Sequence, residues 1–547
     1  MQTASVPEWK FQRQFNYVEG VSTARKRPSV FADDPVKLLS AEQITSFLAN
    51  GCLVLNTDLP PDFHQAMFER FSQLIGADND HNPGNNLLPV VPELNRVFED
   101  GVVRGALTSI LGPNYMMHPH RVLHDNPPGS DAQVWHHDSY WGYKRKVHNH
   151  RPWWVMIMYY PQNIYEEIGP TGVIPGSQCI AQRLDGIDQL GRAASGPTGT
   201  CMLIHYDIWH RKMKNLTNLK RFMVKFEFTR MAPPQAGEFH LDATPWQRPA
   251  DAPAYDIEPM WREQWNWLAG RKPERFAHSL DGELQPLLAK LESKAAAERG
   301  AVARSLAKAG AGARAALPAL IARLNDPSEP VGLNAAYALA AIGKDAVPEL
   351  VRAMLDNDGE NVDDARVFID EGQHSEVEMV ARNAAHGLAA IGADAVPALL
   401  GCLDRAGPRV RKYAVFALGE SGADGPDVVA ALIRSTKDAD PYVRINAVEA
   451  LGLKHATPEA VRALAAALSD ADDEVRFNAA LALARVGPDA ASAVPALRES
   501  LADGNRYVVG YAVEALERIG TPEALAALVP FLKLARYCPL TSINSLF

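Results

Sequence analysis

The chain has 547 residues, 47% hydrophobic and 22% charged, an ordinary globular composition whose length predicts more than one domain. A formal net charge of −10 argues against a protein that coats nucleic acid or an anionic membrane, because both surfaces demand a basic footprint. Cys52, Cys179, Cys201, Cys402 and Cys538 are scattered without a C-x-x-C pair, so neither a disulfide framework nor a zinc knuckle is expected, and a reducing cytoplasm fits.

Residues 1–37 read as an N-terminal arm without the apolar core of a signal sequence, and no later segment is expected to reach the roughly 18 apolar residues of a membrane span. Residues 38–270 read as mostly β, with helices at the start. In "LLSAEQITSFLANGCLVLN", Ser40 is a plausible N-cap, and a glycine stop leads into a first strand. "YMMHPHRVLHDNPP" then spaces His118, His120 and His124 evenly, on one face of a presumed strand. They are substrate contacts if that face looks inward and surface residues if it looks outward.

"VWHHDSYWGY" follows. In an extended strand His136 and Asp138 share one face, while Trp135 and His137 share the other. Such a pair can present an imidazole and a carboxylate to one ion, and two histidines plus a carboxylate suit non-haem Fe(II). Taken alone, an H-x-D pair in a β-rich chain is more often a structural polar pair than a ligand set. His137 and Tyr140 are counted with the candidate substrate contacts. The basic cluster "YKRKVHNHR", with Lys144, Arg145, Lys146, His148, His150 and Arg151, either binds a phosphate, carboxylate or CoA-type anion at a pocket mouth or is a solvated loop.

Further along, "GTCMLIHYDIWHRKMKNLTNLKRFMVKFEFTR" offers His205 and His210 as third ligands. In "RFMVKFEF", Phe222, Val224, Phe226 and Phe228 alternate with Arg221, Met223, Lys225 and Glu227, the pattern of a strand with one apolar and one polar face. If the polar face looks into a pocket, Arg221 can pair with a carboxylate there; Lys225 and Glu227 then share the pocket, or else face solvent.

Residues 271–294 read as a helical linker. Beyond it, over 295–535, "LAxxG" recurs with anchors at Leu306, Leu339, Leu388, Leu418, Leu451, Leu483 and Leu516. Each unit is two short amphipathic helices that cannot bury their apolar faces alone and must stack. The one long interval holds an acidic insertion near 356–374, either a docking element or a solvated loop. Residues 536–547 leave the pattern as a tail.

The repeats resemble HEAT repeats, about seven of them, and so imply an all-α solenoid. The H-x-D pair, then "EEIGPTGVIPGSQ", then "DIWHRKMKNLTNLKR" resemble, in that order, the phytanoyl-CoA dioxygenase family of Fe(II)- and 2-oxoglutarate-dependent oxygenases. That resemblance implies a double-stranded β-helix (jelly-roll, cupin-like) with flanking helices. It implies His136, Asp138 and His210 as iron ligands, Arg221 as the partner of the distal carboxylate of 2-oxoglutarate, and Asn215 as a cosubstrate-shell residue. His205 fails the family spacing, because Leu216 stands where the arginine should be. Arg211 and Lys212 replace small residues just after the distal histidine. The resemblance further implies that O2 and 2-oxoglutarate are consumed and an unactivated C–H bond is hydroxylated; the carboxylate ligand argues against the related halogenases. The substrate is expected to be a small molecule or carrier-bound, with His118, His120, His137, Tyr140, Lys144, Arg145 and Lys225 as candidate contacts. The solenoid is expected to bind a protein, to self-associate, or to complete the active site. The contrasting expectation is a scaffold with an inactive jelly roll.

Overall fold

The computed structural model describes residues 35–75, 82–138, 145–181, 187–274, 276–280, 282–361 and 376–534. The arm to residue 34, most of the 356–374 insertion and the 536–547 tail lie outside the described residues.

Ser40 begins α1 (Ala41–Asn50). Its hydroxyl accepts from the Gln43 N–H while the Gln43 side chain accepts from the Ser40 N–H, a reciprocal cap. Gly51, at φ 72°, ends the helix in the left-handed region that favours glycine, and β1 (Cys52–Asn56) follows as the sequence predicts. Then come α2 (Pro61–Ile75), α3 (Gly101–Leu111), β2 (Met116–Asn126), β3 (Trp154–Tyr159), β4 (Thr171–Val173), β5 (Arg192–Ala193), β6 (Thr200–His205), β7 (His210–Lys212) and β8 (Arg221–Thr229).

Two antiparallel sheets form, one ordered β1-β6-β3-β8-β2 and the other β5-β4-β7. The alternation in β8 sorts as expected. Phe222, Val224, Phe226 and Phe228 enter a core with Phe63 and Phe71 of α2 and Leu107 and Ile110 of α3, each buried Phe contributing about 1.5–3 kcal/mol. The other face carries Arg221, Met223, Lys225 and Glu227, all buried. On β2 the residues paired across from that face are Val122, His124 and Asn126, and a register shift between Met117 and Arg121 adds two residues without turning His118 and His120 away from it. Lys225 and Glu227 are therefore interior groups, and His118, His120 and His124 look inward.

After β8, α4 (Glu258–Leu268) buries Trp261 and Trp265. The linker holds one further helix, Leu284–Leu291, preceded by irregular chain. Among the described residues seven inner helices follow: α5 (Ala296–Ala309), α6 (Glu329–Ile342), α7 (Glu376–Ile391), α8 (Pro408–Glu420), α9 (Pro441–Leu451), α10 (Asp473–Val486) and α11 (Arg506–Ile519). Buried alanines such as Ala335, Ala384, Ala414, Ala447 and Ala480 let them approach closely. An arginine on an inner helix forks the aspartate that precedes the next one: Arg411 holds Asp438, Arg444 holds Asp470 and Arg476 holds Asp503.

The run Glu378–Leu403 has the length and mean hydropathy, 1.4, of a membrane span, contrary to expectation. It is broken at Gly392–Ala395 by a 3-10 turn, and its apolar side chains fill the solenoid core.

The inner helices face the N-terminal half, and one continuous apolar cluster joins Met156, Met202 and Trp153 to Leu339, Phe416 and Tyr511. The polar contacts run repeat by repeat. His150 donates or accepts at the Tyr337 hydroxyl, 3.0 Å, and stacks on His386 at 3.5 Å; Arg151 pairs with Glu420 at 2.8 Å; Lys146 pairs with Glu449 at 2.9 Å; and the Val147 N–H donates to Asn446 at 3.0 Å. Arg145 forks Asp472 at 2.5 and 2.9 Å and adds Glu474 at 3.3 Å. The basic cluster expected to meet a free anion or solvent thus meets the acidic inner face of the chain's own solenoid. Arg145 in particular is occupied there rather than at a pocket mouth.

Candidate metal centre

His136 stands in a backbone bridge to His210, giving and receiving an N–H···O bond of 3.0 Å in each direction. This fixes the two imidazoles side by side, with ring centroids 4.5 Å apart. Each ring is oriented the same way: Nδ1 of His136 lies 3.0 Å from the Val134 carbonyl, and Nδ1 of His210 lies 3.0 Å from the Ile208 carbonyl. Since a carbonyl only accepts, Nδ1 carries the proton in both, which leaves each Nε2 lone pair free for a metal. Asp138 completes the set, with its Oδ2 3.4 Å from Nε2 of His210. Ligand atoms of His136, Asp138 and His210 all lie within 4.8 Å of one another. His205 is elsewhere, with its Nδ1 accepting from the Asp207 N–H.

Burial, and next the neighbouring His210, push His136 down to about 4, so its imidazole is neutral near pH 7. For Asp138, burial alone would raise the carboxyl, but Lys225 and His210 outweigh it and hold the group well below the usual carboxylate range. Lys225 Nζ donates to Asp138 Oδ2 at 2.8 Å. An ionised carboxylate and two imidazoles make a donor set that fits a divalent cation.

Arg221 lies on the same sheet face. Its Nε and Nη2 donate to the Gly169 carbonyl at 3.1 and 2.9 Å, while its buried Nη1 has no hydrogen-bond partner. The guanidinium stands over the Tyr160 ring at 5.9 Å, and the Tyr160 hydroxyl donates to Thr171 at 2.8 Å. A buried, half-satisfied guanidinium is a costly element unless an anion completes it.

Other expected site residues are placed differently. The Asn215 amide donates to the Asn126 and Leu219 carbonyls, and its oxygen accepts from the Thr217 N–H and hydroxyl. All four positions are filled, so Asn215 shapes the loop before β8 instead of touching a cosubstrate. His137 bonds the Asp207 carbonyl and packs edge-on against Trp209, 4.0 Å between centroids. His118 bonds Glu227 at 3.0 Å and sits among Trp154, Phe477, Tyr507 and Tyr511; His120 Nδ1 lies 2.9 Å from the Tyr507 hydroxyl. These two histidines meet the solenoid. Tyr140 and Lys144 lie outside the described residues. Arg211 stacks on Trp135 at 4.2 Å. Phe477, Tyr507 and Tyr511 are the site neighbours that the sequence reading missed, and their one signal was bulky aromatics on inner helices otherwise rich in alanine.

The donor set could hold a single non-haem metal ion, in a β-sheet domain joined to a helical solenoid. Residues 65–223 match the phytanoyl-CoA dioxygenase (PhyH) family model, and residues 284–368, 430–509 and 468–537 match HEAT repeats. No curated protein matches the chain. Similar solved structures include EctD from S. alaskensis with 2-oxoglutarate and 5-hydroxyectoine, 18% identical with TM-score 0.30 over 41% of this chain and 88% of that one. HygX from Streptomyces hygroscopicus with nickel and 2-oxoglutarate bound is 15% identical, TM-score 0.29, over 35% and 86%. The ThoJ–Ni complex, described as a non-haem monooxygenase, is 16% identical, TM-score 0.28, over 41% and 95%.

Proposed function

We propose that the chain is an Fe(II)- and 2-oxoglutarate-dependent dioxygenase that hydroxylates an unactivated C–H bond of a small-molecule or carrier-bound substrate. The observation that carries this reading is the His136–Asp138–His210 set with the half-satisfied Arg221 on the same interior face, inside a segment that matches the PhyH family. Iron(II), 2-oxoglutarate and O2 would together supply an oxidative decarboxylation to succinate and CO2 coupled to oxidation of the substrate.

The protein's own part follows from its side chains. Nε2 of His136, Nε2 of His210 and the Asp138 carboxylate would hold the metal. Lys225 keeps Asp138 ionised before the metal arrives and limits its free rotation. Gly169 locks the Arg221 guanidinium and Tyr160 backs it, and the unpartnered Nη1 would pair with the distal carboxylate of 2-oxoglutarate. Packing of the solenoid aromatics against His118 and His120 keeps water from that end of the sheet face.

The reading is tested by succinate release from 2-oxoglutarate in the iron-loaded protein. Arg221→Ala should raise the 2-oxoglutarate KM at least about tenfold, the cost of losing a charge-assisted pair. Unchanged KM in that variant would contradict it.

A further inference from the structure

Residues 145–151 form a strap laid along the solenoid. Arg145 holds Asp472 and Glu474 at the start of α10, Lys146 and the Val147 N–H hold Glu449 and Asn446 of α9, Arg151 holds Glu420 of α8, and His150 meets Tyr337 of α6 and His386 of α7. The strap is thus fixed on five successive inner helices. His148 turns the other way, into the β-sheet domain, where its Nδ1 lies 2.5 Å from Oδ1 of Asp207 and both side chains are buried. Burial alone would raise the Asp207 carboxyl, but His148, with His205 and His137 adding to it, outweighs burial and holds the group below its ordinary value. An ionised carboxylate only accepts, so Nδ1 of His148 carries the proton and donates.

Asp207 lies in the turn between β6 and β7, and both ligand-bearing segments hang on that turn. Its carbonyl accepts from Nδ1 of His137, the residue between the candidate ligands His136 and Asp138. The carbonyl of the next residue, Ile208, accepts from Nδ1 of His210 at 3.0 Å and so sets the orientation of that imidazole. Beyond it the β-sheet domain pins the turn itself: the Trp209 N–H donates to the Ser177 hydroxyl at 3.0 Å, and the indole N–H donates to the Ile180 carbonyl at 3.1 Å. The Asp207 end is tied to the strap instead. Its Oδ2 has no hydrogen-bond partner, so the bond from His148 is what secures this carboxylate. A buried carboxylate stripped of its partner is costly to keep in place, and its turn shifts to relieve that cost.

We propose that His148 is a positioning residue that makes the metal site depend on the docked solenoid: the HEAT repeats fix the strap, the strap fixes His148, His148 fixes the Asp207 turn, and that turn fixes the imidazole of His210 and the chain bearing His136 and Asp138. The HEAT half then serves the site without touching the metal. The inference rests on the reading of His136, Asp138 and His210 as metal ligands, and on neither 2-oxoglutarate nor a substrate.

The test is binding of Co(II) alone to the full-length, metal-free chain under anaerobic conditions, read from the visible bands of the bound ion. His148→Leu should weaken Co(II) binding at least about tenfold, the lower end for groups that orient metal-binding imidazoles. His148→Asn, whose amide N–H can reach Asp207 from the same place, should keep most of the wild-type affinity. Arg145→Ala, which releases one end of the strap, should weaken binding by a smaller factor in wild type and add nothing in His148→Leu, where the link is already cut. Urea midpoints of the metal-free proteins run beside these titrations. A lowered midpoint in His148→Leu with unchanged Co(II) affinity would show a merely structural bond and overturn the proposal, as would an Arg145→Ala effect of equal size with and without His148. Should His148→Leu not fold, Arg145→Ala carries the test alone, and wild-type affinity in it would overturn the proposal. Failure of the ligand reading would look different, since wild type itself would then bind no Co(II), and the positioning role would fall with it.

Discussion

Lys225 Nζ lies 2.8 Å from Asp138 Oδ2, with both side chains under a tenth exposed, so the carboxylate proposed as a metal ligand carries its own buried counter-ion. Removing one partner of a buried pair leaves an uncompensated charge, at a cost of about 3–5 kcal/mol. Lys225→Met should therefore lower the Tm of the metal-free protein, and a bound divalent cation should restore most of the loss by neutralising Asp138 itself. Thermal scans of wild type and variant with and without Zn(II) check this. An equal deficit in both conditions would show that Lys225 is not acting through Asp138.

Acid should weaken the junction between the halves. Burial is the first cause that pushes His118, His120 and His124 each down to about 3. An unfolded histidine protonates near pH 6.5, so between those values the unfolded chain binds protons that the folded chain excludes. The stabilisation is full above about pH 6.5 and is lost as pH falls, at up to about 1.4 kcal/mol per pH unit for each histidine. Glu227, which burial holds well above its ordinary value, works in the opposite sense and offsets one of the three. Urea midpoints should fall between about pH 7.5 and 5.5, and less steeply in His118→Asn; a flat profile would contradict the assignment.

Gly510→Ala sets two effects against each other. Alanine gains about 1 kcal/mol in a helix interior, but a Cβ at this position of α11 would come within 2.7 Å of Pro119 Cγ, a ring that cannot swing aside. Overpacking of that kind costs about 1–3 kcal/mol, so the variant should be less stable than wild type by chemical denaturation despite its better helix propensity.

Arg151 joins both halves, pairing with Glu263 at 2.6 Å and Glu420 at 2.8 Å. Arg151→Ala should cost about 3 kcal/mol or more and split one unfolding transition into two, read by calorimetry. A single sharp transition in the variant would show that the remaining polar contacts and the apolar packing couple the halves without Arg151.

Local signals were legible in the sequence because their causes are local. Ser40 and Gly51 mark the ends of α1, and the alternation from Arg221 to Phe228 assigns two faces to β8. For the candidate ligand set, the H-x-D pair left His205 and His210 both open as the third member; the family resemblance pointed to His210, and its ligand atom lies within 4.8 Å of those of His136 and Asp138. The roles of Arg145, His150 and Arg151 were not legible, because their partners Asp472, His386 and Glu420 lie more than two hundred residues away and only stacking of the repeats brings them near. Asn215 keeps its place in the motif, yet four hydrogen bonds consume its side chain, three within its own loop and one to the Asn126 carbonyl on β2, which spacing alone does not reveal. The partners of His137, the Asp207 carbonyl and the Trp209 ring, lie about seventy residues on and were likewise not legible.

The most direct measurement is an anaerobic titration of the metal-free protein with Fe(II) and 2-oxoglutarate, watching for the weak visible charge-transfer band of an iron–keto-acid chelate. Wild type should develop the band at one equivalent of iron, His210→Ala should bind neither, and Arg221→Ala should need far more 2-oxoglutarate to reach it. A folded, iron-loaded wild type that never develops the band would contradict the dioxygenase assignment and favour a scaffold built on an inactive sheet domain.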